Sequence, residues 1–415
     1  MRTKIRALLA VCAALICLGA VNASAADSET YTGTLERREG YELASVRYAL
    51  SGEDTYAFAD VTATADGYAY SFTAPAGEYT VTPEYFSTTV WDGAVDISWY
   101  DPNASAYYIS NGAQLAGVAA ICSGSVDANT PDYRIRGDLS LLESEIVEDF
   151  ELVGAGGGNV TQTVHRGLAK NSFAGKTVYL TADINMGGQT DTTNWTPIGG
   201  IYPMKVDDAT VTSGADPYLA VSYFSGVLDG NGHRITNLYC DRHNAAHFSY
   251  SQGIGLVGYL GGLYDGQSAP ALDPAVRDLS VSGLVHGRRM VGGIVGRVGD
   301  GANFVSVENC ANFAEVISHD AKGVGGIVGA GWAKDGAIIN CYNTGYVHNS
   351  DYQCPAGGIC GNNQNMDIYN CYNVGTIYSA GARGRAIGGH DGGVYSVRRC
   401  YYLEGCDNKI GRAHV

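Results

Sequence analysis

The nearest approach to a zinc-peptidase motif in this chain is His243-Asn244-Ala245-Ala246-His247. That chemistry needs two imidazoles one helical turn apart and a glutamate beside the first as general base. Asn244 stands where the glutamate should be, and the pair lies between strand-like segments, so His243 and His247 read as loop histidines. Glycoside hydrolysis needs two carboxylates facing one cleft. The acids of the repeated region are Asp300, Glu308, Glu315, Asp335, Asp351, Asp367 and Asp391, and none recurs in register. The densest polar group is His390-Asp391 near Arg383 and Arg385, in a degenerating terminal repeat where a solvated loop is expected. The eleven cysteines include no CxxC pair, which argues against a cysteine metal centre. No catalytic, cofactor-binding or metal residue is assigned, and no cofactor is expected.

Two features suit binding better. Arg136-Gly137-Asp138-Leu139-Ser140-Leu141-Leu142 resembles the extended integrin-recognition pattern, in which Arg-Gly-Asp precedes a leucine-bearing helix. The expectation is a loop presenting guanidinium and carboxylate, with a helix capped at Ser140 aligning Leu139 and Leu142; Ser140 to Glu143 reads as its capping box. Tyr342, Tyr372 and Tyr401 occupy one position of a repeat. Facing outward they would form an aromatic strip able to stack on sugar rings or anchor a protein partner; facing inward they would half-cover the core.

The elements that must position these residues are set by repetition. Val307-Glu308-Asn309-Cys310-Ala311-Asn312 recurs as Ile338-Ile339-Asn340-Cys341-Tyr342-Asn343 and as Ile368-Tyr369-Asn370-Cys371-Tyr372-Asn373. A decayed copy runs from Val397 to Tyr402, so the cysteines fall 31, 30 and 29 residues apart. Between them lie Gly292-Gly293-Ile294-Val295-Gly296, Gly325-Gly326-Ile327-Val328-Gly329 and Gly357-Gly358-Ile359-Cys360-Gly361, with an earlier copy around Gly255 and Gly258. A period near 30 also suits helical hairpins, but each interior glycine would cost a helix about 1 kcal/mol. β-branched residues bounded by Gly and Asn read instead as short strands and turns. Three such strands make one coil of a parallel β-helix, whose equivalent positions stack about 4.8 Å apart. Val307, Ile338, Ile368 and Val397 are then an inward aliphatic column. Asn309, Asn340 and Asn370 form a corner amide ladder. Cys310, Cys341, Cys371 and Cys400 are buried free thiols, because parallel stacked side chains rarely reach disulfide torsion. Cys400 with Cys406, or Cys354 with Cys360, could close a local bridge.

Gly255-Leu256-Val257-Gly258 and its Gly-Ile-Val-Gly relatives resemble the GLUG motif of secreted and surface proteins of bacteria. The upstream blocks Ile109–Ala116, Phe173–Ile184, Trp195–Gly199 and Phe224–His233 resemble what precedes such repeats in that family. The resemblance spans about 99–405, with 123–171 as an insertion containing the expected helix. It implies a bacterial surface or exported repeat protein, some relatives of which are joined to metallopeptidases of the IgA-protease type.

Organisation follows. Residues 1–25 are a signal peptide, with a basic start, an apolar run to Ala20 and small residues Ala23-Ser24-Ala25 at the cleavage site. Residues 26–98 are a small antiparallel β-domain, sandwich-like, with a hairpin expected over Tyr68–Val81. Residues 99–220 hold a short helical cap, the insertion and the first strands, and 221–408 the GLUG-type repeats. Lys409–Val415 fits no repeat. Its reverse translation matches the start of a sequencing adapter, so a non-native tail is expected there. With 57 glycines, 29 tyrosines and only 16% charged residues, the composition suits strands and turns. Residues 26–160 carry 22 acids against 5 Lys/Arg, which excludes nucleic acid and anionic lipid as natural partners.

The fold class expected is therefore all-β: a right-handed parallel β-helix (solenoid) behind the small β-domain and the helical cap. The function expected is a non-catalytic, adhesin-like or stalk module, secreted or at the cell surface, binding glycan or host extracellular protein. The alternatives are the non-catalytic front of a larger secreted metallopeptidase, or a carbohydrate-active β-helix. No segment after the signal peptide is long and apolar enough to span a membrane.

Overall fold

The computed structural model describes residues 28–406 apart from 38–39, 54, 125, 127–133, 143, 154–160, 170, 204–218, 245–250, 263–271, 300–303, 320–321, 353, 382–383 and 391–394. The expected signal peptide, the 409–415 tail, His247, Asp300, Arg383 and Asp391 lie outside the described residues. So does the side chain of His390. The chain divides into two compact units, one of Met1–Glu39 with Leu43–Tyr85, the other of Gly40–Glu42 with Phe86–Val415.

In the first unit the strand Gly67–Pro75 is central. Ser28–Glu36 pairs antiparallel along its whole length, and Asp60–Ala63 pairs antiparallel on its other side. The expected hairpin over Tyr68–Val81 is not formed. Tyr79–Val90 belongs to a different sheet, next to Tyr41–Leu50. Alternation marks both segments as strands, but it does not choose their partners. Aromatic packing joins the sheets: the rings of Tyr48 and Phe72 stack at 3.7 Å, with Tyr31 stacked on Phe72 at 5.0 Å.

The second unit is built of parallel sheets in which each strand pairs with the strand one repeat later. One sheet runs Ala106–Ile109, Thr177–Leu180, Val227–Asp229, Ala275–Arg277, Val305–Glu308, Gly336–Ile339, Asp367–Tyr369, Val397–Arg398. A second runs from Arg234–Asp241 to Ser280–Gly287 and then divides. One branch continues through Ala311–Asn312, Tyr342–Asn343, Tyr372–Asn373 and Tyr401–Tyr402. The other continues through Glu315–Ser318, Val347–Asn349 and Ile377–Ser379. The Gly-Gly-Ile-Val-Gly segments supply two further parallel sheets, one on each side of the buried Ile294, Ile327 and Ile359. The chain visits these sheets in the same order in each repeat, so one residue type returns in one column.

The core follows from that register. Val276, Val307, Ile338 and Ile368 pair in succession and are fully buried, as are Val285, Val316, Val347 and Ile377. The corner residues Asp278, Asn309, Asn340, Asn370 and Arg399 all have φ between 52° and 55°. Asn and Asp tolerate that left-handed conformation better than other residues with a Cβ.

One α-helix is present among the described residues, Gly112–Ser123. Asn111 caps its start by accepting from Gln114 N, and Gly124 at φ 72° ends it. Leu115, Val118, Ile121 and Cys122 of this helix are buried in the same hydrophobic core as the strands. The helix expected to open at Ser140 is absent. A single 3-10 turn, Leu139–Leu141, is followed by the strand Ser144–Val153, which pairs antiparallel with Thr161–Ala169. Thr161–Ala169 in turn pairs with Leu219–Ser222, so strand pairing overrides the local capping signal. No helix among the described residues is long and apolar enough to cross a membrane.

Candidate functional site

The tyrosine position is fixed by its neighbours in sequence. Cys310 and Asn312, Cys341 and Asn343, Cys371 and Asn373 are all fully buried. The residue between two inward side chains of a strand points out. Tyr342 is therefore half-buried at the surface, Tyr372 is 41% exposed and Tyr401 is 71% exposed. The three pair in register, and the rings of Tyr342 and Tyr372 stack at 4.8 Å, within 1° of parallel. Phe313 meets Tyr342 edge-on at 5.7 Å. Phe313 and Val374, each following a buried asparagine, and Leu403, following the exposed Tyr402, are exposed alongside and widen the strip into an apolar patch. On the other branch of the same sheet, Tyr378 stacks on His348 at 4.8 Å, and Tyr346 Oη lies 3.0 Å from His348 Nδ1.

Two amide ladders run along these coils, one exposed at the corner and one buried. At the corner, Asn340 Nδ2 donates to Asn309 Oδ1 and Asn370 Nδ2 to Asn340 Oδ1, at 3.0 and 3.1 Å. The inner ladder uses the last residue of each hexapeptide, which the sequence does not distinguish from the first. Asn312 Nδ2 donates to Asn343 Oδ1 at 2.7 Å, and Asn343 Nδ2 to Asn373 Oδ1 at 2.8 Å. Gly293, Gly326 and Gly358 face this ladder, where a Cβ would meet the amide of Asn312, Asn343 or Asn373 within 2.4 Å. Gly255, Gly258, Gly296, Gly329 and Gly361 have backbone atoms within 3.0 Å of any added Cβ.

Cys310, Cys341 and Cys371 are buried free thiols, and Cys400 is a partly exposed one. Cys354, Cys360 and Cys406 are thiols as well, so neither local bridge is formed. Each thiol of the column lies within hydrogen-bond reach of a core carbonyl, as Cys341 Sγ does of Val307 O at 3.4 Å. Burial pushes the Cys122 and Cys240 thiols up to about 12 and the Cys341 thiol well above its ordinary value.

The Arg-Gly-Asp segment is a surface turn. Arg136 ends the strand Ile135–Arg136, beside Val95–Asp96. Gly137, at φ 113°, lies so close to Ile97 and Ser98 that no Cβ fits. The Asp138 carboxylate accepts from Ser140 N at 2.9 Å, and its hydrogen bonds with Ser140 hold it below the usual carboxylate range. Asp138, not Ser140, is thus the cap. Leu139 is exposed, and Leu142 packs partly against the core.

The carboxylates named from the sequence are dispersed. Glu315 begins a strand of the tyrosine sheet, Asp335 sits in a bend and Asp351 just after the strand Val347–Asn349, and Glu308 and Asp367 lie two strands apart on another sheet. A cleft of about 570 Å³ beside the helix is lined by Trp91, Ala116, Arg134, Asp191, Trp195 and Arg242 among others. Its indoles meet edge-on at 6.0 Å and belong to the core, so their faces are covered.

One cluster joins His243, read from the sequence as a loop histidine, to residues that the sequence did not single out. Asp241, His243, His286 and His319 converge at the edge of the tyrosine sheet. Asp241 and His286 are register partners on adjacent strands, and Ser318 pairs with Gly287, which brings His319 alongside. His243 and His286 stack at 3.9 Å, and His319 meets His286 at 4.7 Å. Asp241 Oδ1 lies 2.5 Å from His243 Nδ1 and 3.3 Å from His286 Nδ1. Burial lowers the His286 imidazole to about 4, against the opposing pull of Asp241, and lowers His319 and His348 as well. Burial works to raise the Asp241 carboxyl, but hydrogen bonds from His243 and the nearby imidazoles outweigh it and leave it lowered. No short motif announces this group, because Asp241 and His243 lie a repeat or more away in sequence from His286 and His319.

No protein-family model matches this chain, so the GLUG resemblance rests on the residues that carry it. No curated protein matches it either. A solved structure from Bacteroides ovatus, provisionally described as an immunoglobulin A1 protease, is similar at 24% identity and a TM-score of 0.38. The similarity covers 60% of this chain and 77% of that one.

Proposed function

We propose that this chain is the non-catalytic binding module of an exported or cell-surface protein, a right-handed parallel β-helix whose outward tyrosines stack on the sugar rings of a glycan. The observation that carries the reading is the register-locked pair Tyr342 and Tyr372, stacked in parallel at 4.8 Å and continued by Tyr401. Exposed aromatic and aliphatic side chains gathered on one sheet face mark a binding surface more often than chance exposure does. Rings presented on a ladder are held rigid by the strands, so little side-chain entropy is lost when a ligand lands on them. The cleft beside the helix is a weaker candidate, since its tryptophans are consumed in the core.

The acidic front half disfavours polyanions, which leaves neutral or basic glycans as the favoured class. The test is a glycan array probed with the purified chain and with Tyr372→Ala/Tyr401→Ala. Binding to a defined glycan set that the double variant loses supports the proposal. Retention of every hit by the folded variant contradicts it. Binding only to host extracellular proteins, through the same tyrosines, would replace the glycan with a protein partner.

A further inference from the structure

We infer that Asp241, His243 and His286 form a binding site for one borderline divalent cation, Zn2+ being the natural occupant, with His319 as a fourth ligand. The donor atoms of the first three lie within 4.8 Å of one another. A tetrahedral Zn2+ with bonds of about 2.1 Å holds its ligands about 3.4 Å apart. The His286 Nδ1 to Asp241 Oδ1 distance of 3.3 Å already meets that spacing. Side-chain rotation of His243, which sits in a turn after the strand, completes the set without moving the sheet.

His286 Nε2 is buried and finds no hydrogen-bond partner among the described residues. Nδ1, which faces Asp241 Oδ1 at 3.3 Å, is the nitrogen that would take the cation, with the ring proton left on Nε2. His319, whose ring meets His286 at 4.7 Å, is the nearest side chain that could add a fourth ligand. Its Nδ1 lies 2.7 Å from Ser350 Oγ, which leaves Nε2 as the donor to a cation. The charge nearest in sequence is directed elsewhere, since the Arg242 guanidinium donates to Trp195 O and to Thr196 Oγ1.

The donor set selects the metal. Imidazoles with one carboxylate suit Zn2+, Ni2+ or Cu2+, whereas Ca2+ and Mg2+ take oxygen ligands. The parallel register generates the site, because it places Asp241, His286 and the end of Glu315–Ser318 on adjacent rows of one sheet edge. The inference is independent of the glycan reading.

The experiment is Zn2+ titration by calorimetry on the full chain without an affinity tag, with Co2+ absorption as a report on geometry. One Zn2+ per chain is expected, with visible Co2+ bands of a four- or five-coordinate site and no Ca2+ binding. Asp241→Asn and His243→Ala should each weaken Zn2+ binding by about tenfold or more, the scale on which loss of even an outer-shell partner is felt. His348→Ala, whose ring lies 6.5 Å from His319 on the far side, should leave affinity unchanged. The absence of saturable Zn2+ binding by the wild-type chain overturns the inference. So does an affinity that Asp241→Asn and His243→Ala, folded by circular dichroism, both leave intact.

Discussion

The amide of Asn343 lies against the bare Cα of Gly326, so close that a Cβ on the glycine would fall 2.4 Å from Asn343 Cγ. The same relationship joins Asn312 to Gly293 and Asn373 to Gly358. Two motifs that look separate in sequence, the hexapeptide and the glycine run, are thus two sides of one packing arrangement. A Cβ on Gly326 would also meet Gly358 O at 2.2 Å, and backbone cannot yield as a side chain can. Gly326→Ala should therefore lower stability by about 1–3 kcal/mol, the usual cost of overpacking. Chemical denaturation checks it; an unchanged unfolding midpoint in Gly326→Ala would contradict the packing account.

Asn343 uses its whole hydrogen-bonding capacity. Its Nδ2 donates to Gly345 O and Asn373 Oδ1, and its Oδ1 accepts from Gly345 N and Asn312 Nδ2. Asn343→Ala leaves Gly345 and both neighbouring amides under-bonded in a dry interior, at about 1–3 kcal/mol for each unsatisfied group. Asn343→Asp should be worse, because a buried carboxylate offers no donor to Gly345 O or Asn373 Oδ1. Equal melting temperatures for the two variants would refute that ordering.

Arg399 takes the corner conformation at φ 53° that Asn309, Asn340 and Asn370 take, without their amide. Arg399→Asn removes left-handed strain of about 1 kcal/mol and extends the corner ladder by one donor to Asn370. Hydrogen exchange of the final strands should slow in this variant. Unchanged or faster exchange there would show that the ladder ends at Asn370.

The thiols give the pH dependence. Cys122 and Cys240 sit near 12 in the fold and return to about 9 on unfolding. Between those values the unfolded chain has lost protons that the folded chain keeps, so the contribution of these thiols is constant below about pH 9 and falls as pH rises above it. At pH 8 the folded protein should leave its buried thiols unreacted toward a disulfide reagent, with Cys400, the partly exposed one, reacting first. Prompt reaction of Cys341 or Cys371 in the folded protein would contradict the burial of the column.

What was legible in the sequence is what repeats. The aliphatic column through Val307, Ile338 and Ile368 and the parallel pairing beneath it follow from two motifs at one period. The period also picks out Tyr342, Tyr372 and Tyr401, but their direction waits on knowing that Cys and the second Asn both point inward. Partner choice was not legible. Tyr68–Val81 alternates as a hairpin does, yet its two halves join different sheets, and Ser140–Glu143 has a capping box that strand pairing overrules. The Asp241, His243, His286 and His319 group was invisible for a related reason. Turns of unequal length separate its members, and only the register of Asp241 with His286 brings them together.

The central claim is that the tyrosine strip is the binding face. Its most direct test is the affinity of the wild-type chain for the best glycan of the array, measured beside Tyr372→Phe and Tyr372→Ala. Stacking by the ring predicts that Tyr372→Phe keeps affinity within a few-fold. Tyr372→Ala should lose about tenfold or more, or about 1.4 kcal/mol, while the fold, freed only of the ring's stacking on Tyr342, stays intact by circular dichroism. An unchanged affinity in Tyr372→Ala would place the binding face elsewhere on the molecule and contradict the account.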